Sequence, residues 1–137
     1  MIDCPGALDW TQRYMRIPFV DEGRGFDGAD CYGLCWLAWR EERGVTLPDA
    51  LIYGSTDVEN TEALNAAIAS RRPDFVAVED PEPFALVLFR CEGRPVHIGL
   101  CVGQGYFLHT DSGTGVMLDE LTARRWSRRI EGFYAPR

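Results

Sequence analysis

The sequence has no lysine; all fourteen of its basic residues are arginine. No Lys-Ser or Lys-Thr pair therefore follows the glycines at 25, 28 and 33, which excludes a phosphate-binding glycine loop. Long apolar runs are also missing. The longest, Phe84-Ala85-Leu86-Val87-Leu88-Phe89, is far too short to span a bilayer and suits a buried strand. Basic excess is absent as well: the net charge is -7, and an acidic chain repels the phosphates a nucleic-acid partner would bring. The first ten residues, MIDCPGALDW, carry neither a basic start nor an apolar stretch with a small-residue cleavage site, so no secretory signal is expected. The five cysteines are odd in number and scattered, unlike a disulfide-stapled scaffold, and reduced thiols are expected.

What remains is a single-domain composition. At 137 residues with 46% hydrophobic content, the chain has room for one core, and residues 1–137 are expected to form one domain. The front half reads as helical and the back half as strands, an α+β order. A short helix is predicted over Ala7 to Tyr14. Asp30 is a helix N-cap, its helix running to about Arg43 with Gly44 as the stop. A second helix is predicted over Thr61 to Arg71. Strands are predicted at 75–78, 85–90, 95–102, 106–110, 115–119 and 130–135, with a helical turn in Leu121 to Ser127. The cluster Arg124-Arg125-Trp126-Ser127-Arg128-Arg129 is expected to be solvated, with docking as the alternative use.

Histidine is scarce, and both copies, His97 and His109, fall on strands flanking Gly103-Gln104-Gly105. Side chains alternate along a strand, so His97, Gly99 and Cys101 share one face opposite Val96, Ile98, Leu100 and Val102. A three-residue hairpin loop pairs Cys101 with Phe107 and Gly99 with His109, bringing both imidazoles to one face. A two-residue loop throws them onto opposite faces. The small residues Gly99 and Cys101 leave room on that face for the helix that begins at Cys31. A cysteine in a first helical turn feels the positive end of the helix dipole, which favours thiolate, and a neighbouring imidazolium favours it further. Cys31 then reads as a nucleophile, His97 as its base and His109 as the group that orients the base.

Two blander readings compete. A lone cysteine in an apolar helix is ordinarily core, which is how Cys4, Cys35, Cys91 and Cys101 are assigned. Cys31, Cys35 and the two histidines also make up a Cys₂His₂ inventory, but the spacing fits no zinc finger and the ligands would crowd a buried helix. No metal and no cofactor is expected.

Asp30-Cys31-Tyr32-Gly33-Leu34 at a helix start, Val96-His97-Ile98-Gly99 on a strand and Phe107-Leu108-His109 after a glycine hairpin resemble the NlpC-type papain-like cysteine peptidases. The likeness runs from Tyr14-Met15-Arg16-Ile17-Pro18-Phe19 to Glu131-Gly132-Phe133-Tyr134. It is nearest to the short versions in phage and gene-transfer-agent tails. The resemblance implies N-terminal helices packed on an antiparallel β-sheet, with Cys31 as nucleophile, His97 as base and His109 as third polar residue. It also implies hydrolysis of peptidoglycan stem peptides, at D-γ-glutamyl-diamino acid bonds.

Asp30, Tyr32 and Phe19, which flank the nucleophile, are the expected substrate-binding residues. Where many members carry serine after the cysteine this chain has Tyr32, and where many carry an upstream tyrosine it has Phe19. The usual Gly-Asp before the first core strand is Phe84-Ala85. The implied setting is a virion tail, with tail-tip or hub proteins as partners and no export signal because the particle delivers the protein. The alternative function is a tail structural or docking module whose catalysis is weak or lost.

Overall fold

A computed structural model describes residues 8–48, 75–91 and 94–136. The predicted helix over Thr61 to Arg71 and the assignment of Cys4 to the core lie outside the described residues, as does the side chain of Cys91.

The short helix expected near the start is a 3₁₀ helix at Asp9–Tyr14. A small hairpin of β1 (Arg24–Gly25) and β2 (Gly28–Ala29) leads into α1 (Cys31–Arg43). Both ends of α1 fall where the sequence places them. The Asp30 carboxylate accepts from the Gly33 N–H at 2.8 Å, and Gly44 closes the helix in the left-handed conformation at φ 65°. Gly33 is also the point of closest approach, since a Cβ there would lie 1.9 Å from the Gly23 carbonyl oxygen. Any larger residue at 33 would force α1 away from the loop that precedes it.

The six remaining strands are β3 (Phe75–Val78), β4 (Leu86–Cys91), β5 (Arg94–Gly103), β6 (Tyr106–Asp111), β7 (Gly115–Glu120) and β8 (Ile130–Pro136). A one-turn helix α2, Arg124–Ser127, joins β7 to β8. The strands form one antiparallel sheet in the order β3-β8-β4-β5-β6-β7. This is the expected α+β arrangement of a helix on an antiparallel sheet.

The sheet buries both faces, and period-two alternation decides which residue goes where. Leu86, Leu88, Ile98, Leu100 and Leu108 join Leu34, Cys35, Leu37 and Ala38 of α1 in the larger core. Ala85, Val87, Phe89, Cys101 and Phe107 form a second core on the other side, closed by Leu121 and Trp126. α1 therefore covers the Ile98–Leu100 face rather than the face of His97, Gly99 and Cys101, as the sequence had suggested. The space above Gly99 is occupied by its own sheet: a Cβ there would meet Phe107 at 2.8 Å and Val87 at 3.2 Å.

The backbone of Phe84 is left-handed at φ 75°. A bulky residue in that region costs about 1–2 kcal/mol. The ring offsets this by stacking on Trp10 at 5.0 Å, meeting the Trp39 edge at 5.5 Å and lying under the Arg43 guanidinium at 4.2 Å. The Trp39 indole N–H donates to the Phe84 carbonyl at 2.9 Å. Phe84→Ala keeps the strain and loses the ring, so urea unfolding should show a loss of about 3–5 kcal/mol. Phe84→Gly relieves the strain and should be the milder change by about 1 kcal/mol, inverting the usual order of alanine over glycine.

Candidate active site

The two histidines meet because of a turn of unexpected form. Gln104 and Gly105 both have positive φ, 57° and 82°, as the two central residues of a type I′ turn require. Two-residue loops were expected to separate the imidazoles. Here an extra residue on β5 restores the phase: Cys101 pairs with Phe107 and Gly103 with Tyr106, leaving Val102 as a bulge. Below the bulge the register is the one expected of a three-residue loop, and His97 and His109 share a face.

On that face the side chains form a hydrogen-bonded line. His97 Nε2 lies 3.0 Å from His109 Nδ1, and His109 Nε2 lies 2.8 Å from Asp119 Oδ2. Asp119 sits on β7 opposite Phe107, one alternation from the partner of His109, so its carboxylate reaches the ring diagonally. The line is enclosed by aromatic rings. Trp126 stacks on His97 at 5.7 Å and presents its edge to His109 at 4.8 Å, while Phe107 stacks on His109 at 4.7 Å. Arg125 and Arg129 lie over the Trp126 ring at 4.8 and 5.3 Å, and Arg129 Nε donates to the Arg90 carbonyl at 2.9 Å. Part of the arginine cluster read as a solvated or docking face thus holds the aromatic cover of the histidines.

Burial sets the charge state of the pair. It pulls His97 down to about 3, assisted by the neighbouring His109 and the Arg129 guanidinium. Burial also lowers His109, against the opposing pull of the Asp119 carboxylate. Both rings are therefore neutral at pH 7.

Cys31 approaches from the helix side. It is 2% exposed and belongs to the core that includes Ile17, Ile98, Leu108 and Val116. The backbone before it is tied to the sheet end that carries the histidines: a Cβ on Gly115 would lie 3.2 Å from the Ile17 oxygen, and the Pro18 carbonyl accepts from the Ala29 N–H at 3.1 Å. Phe19 bridges to Ala29 in the same strip and is partly exposed. Cys31 lies with the core on the α1 side of the sheet, and the His97–His109 pair lies with Phe89, Phe107 and Trp126 on the other.

Asp30 and Tyr32, expected to touch substrate, are buried and committed to the protein. Asp30 Oδ2 accepts from the Glu22 N–H at 2.7 Å, and Oδ1 faces the Arg24 guanidinium at 3.2 Å besides capping α1. The Tyr32 hydroxyl donates to the Pro48 carbonyl, and its ring lies beneath Arg24 at 5.5 Å. Asp119 and Trp126 were missed by the sequence reading. Alternation along Gly115–Glu120 puts Met117 and Asp119 on the histidine side once the β6–β7 register is known, but no local motif marks either residue.

Comparison with known proteins agrees with this architecture. The NlpC/P60 family model matches residues 16–134. A murein DD-endopeptidase/murein LD-carboxypeptidase, MepS of Escherichia coli strain K12, is 24% identical over 102 residues, covering 74% of this chain and 46% of the relative. The chain spans about half the length of the curated relatives it matches. Among solved structures, the NlpC/p60 domain of the peptidoglycan hydrolase SagA superposes with a TM-score of 0.59 at 15% identity, covering 99% of this chain and 100% of that one. NlpC2 of Trichomonas vaginalis gives 0.65 at 16%, covering 94% and 46%, and an NlpC/P60 protein of Bacillus cereus gives 0.64 at 17%, covering 94% and 38%. With the family model spanning most of the sequence and the fold shared with these structures, the chain belongs to the NlpC/P60 family.

Proposed function

We propose that the protein is a cysteine endopeptidase acting on peptidoglycan stem peptides, with Cys31 as nucleophile, His97 as base and His109 as its orienting partner. The observation that carries this reading is the 3.0 Å contact between His97 Nε2 and His109 Nδ1, which leaves His97 Nδ1 as the nitrogen available to a thiol. In the proposed reaction that nitrogen takes the Cys31 proton as sulfur attacks the peptide carbonyl. The proton passes to the leaving amine as the C–N bond breaks. Water, deprotonated by the same ring, then hydrolyses the thioester. The reading requires Sγ of Cys31 and Nδ1 of His97 to meet past the rim of the sheet rather than across its face, because α1 covers the opposite side.

The bond proposed is D-γ-glutamyl-diamino acid, and the setting proposed is a phage or gene-transfer-agent tail, with tail-tip or hub proteins as partners. Both rest on the sequence resemblance, and Phe19 is the substrate contact proposed. Mass spectrometry of muropeptides incubated with the protein should reveal a fragment ending in glutamate. Intact muropeptides after prolonged incubation would overturn the reading.

A second reading, a tail module that keeps the fold with little or no catalysis, is favoured by the burial of Cys31 at 2% exposure. It predicts that Cys31 reacts with a thiol probe no faster than free cysteine does.

A further inference from the structure

We infer that Asp119 is a positioning residue that fixes the tautomers of both histidines, so that His97 presents a bare Nδ1 at neutral pH. The inference rests on the peptidase reading for its functional meaning and on the hydrogen-bonded line for its geometry.

Two directions of donation are open to a pair of neutral imidazoles joined Nε2 to Nδ1. In one, His97 Nε2–H donates to a bare His109 Nδ1, and His97 keeps its lone pair on Nδ1. In the other, His109 Nδ1–H donates to a bare His97 Nε2, and the hydrogen on His97 sits on Nδ1, where it blocks acceptance of a proton from a thiol. Nothing within the pair selects between them. Asp119 does, because an ionised carboxylate only accepts. Its Oδ2, 2.8 Å from His109 Nε2, demands a hydrogen on that nitrogen. His109 Nδ1 is then bare, His97 Nε2 at 3.0 Å must donate to it, and the lone pair falls on His97 Nδ1. Water does not arbitrate at His109, which is 1% exposed with the aromatic rings of Trp126 and Phe107 packed against it. The Asp119 side chain itself is 32% exposed, so conservative replacements there should fold.

The test is Asp119→Asn in the full chain, with Asp119→Glu as the conservative rescue. Asparagine accepts from Nε2–H or donates to bare Nε2 equally well, so the selection is lost. Long-range proton–nitrogen NMR at pH 7 should show single Nε2–H tautomers at His97 and His109 in the wild type and in Asp119→Glu, and mixtures in Asp119→Asn. Muropeptide cleavage by Asp119→Asn should lose about 10–100-fold in kcat with KM unchanged. Wild-type nitrogen signals at both histidines in Asp119→Asn would overturn the inference whatever the activity. A tautomer mixture in that variant supports it even where the wild type cuts no muropeptide, a result that would count against the peptidase reading alone.

Discussion

Cys31→Ala is expected to abolish muropeptide cleavage, a loss of about 10⁶-fold in kcat, while the protein remains folded. A nucleophile has no substitute in a covalent mechanism, so the residual rate is that of a binding site alone. The structural change is small: one buried sulfur is removed from the first turn of a helix whose cap, the Asp30 carboxylate on the Gly33 N–H, stays in place. Cleavage at a comparable rate by Cys31→Ala would refute the mechanism. A thiol probe reads the same residue independently. Burial pushes the Cys101 thiol up to about 12 and the Cys35 thiol well above its ordinary value. Both should be inert at neutral pH, which makes Cys31 the expected site of rapid labelling among the described cysteines.

His97→Ala removes the proton acceptor and should lower kcat by about 10³–10⁴-fold. The alkylation rate of Cys31 should fall in the same variant, since the thiol loses the group that takes its proton. If labelling of Cys31 is unchanged by His97→Ala, the two side chains do not meet and the proposed pair is wrong. The variant should also respond differently to acid. His97 titrates near 3 in the folded protein and near 6.5 in an unfolded chain, so between those values the unfolded state binds a proton that the folded state refuses. Stability therefore rises with pH across that window and falls as the solution is acidified, by at most about 1.4 kcal/mol per pH unit for this one group. Chemical denaturation at pH 4 and pH 7 should show a smaller difference in His97→Ala than in the wild type. His109, lowered by burial, and Asp111, lowered against its own burial by hydrogen bonds from Gly113 and Thr114, contribute to the remainder in the same direction.

Much of this arrangement was legible in the residues themselves. The Asp30 cap and Gly44 stop bound α1 because capping is a local matter of one side chain and one backbone conformation. The six strands of the large sheet announced themselves through alternation, and each is displaced by no more than a residue or so at its ends, whereas the small β1–β2 hairpin fell in a stretch whose glycines read as loop. The face on which α1 packs was misjudged for a reason that is not local. Small residues at 99 and 101 leave room on the histidine side, but whether a helix or a neighbouring strand's side chain uses that room depends on Phe107, Val87 and Trp126, which come from three other elements. Asp119 escaped notice on the same grounds, since its relation to His109 exists only through the pairing of β6 with β7. Within the arginine cluster, composition alone did not distinguish side chains in water from those lying on an indole ring.

The bulge at Val102 has a consequence for how this chain tolerates change. Surface turns ordinarily accept insertions and deletions with little effect on the elements they join. Removing the extra residue would leave Cys101 opposite Phe107 across a regular two-residue turn, with both imidazoles still on one face, whereas pairing Val102 with Phe107 around the present turn would send one imidazole to the helix side. The phase of the ladder below the tip, rather than the length of the tip itself, is thereby what the histidines depend on.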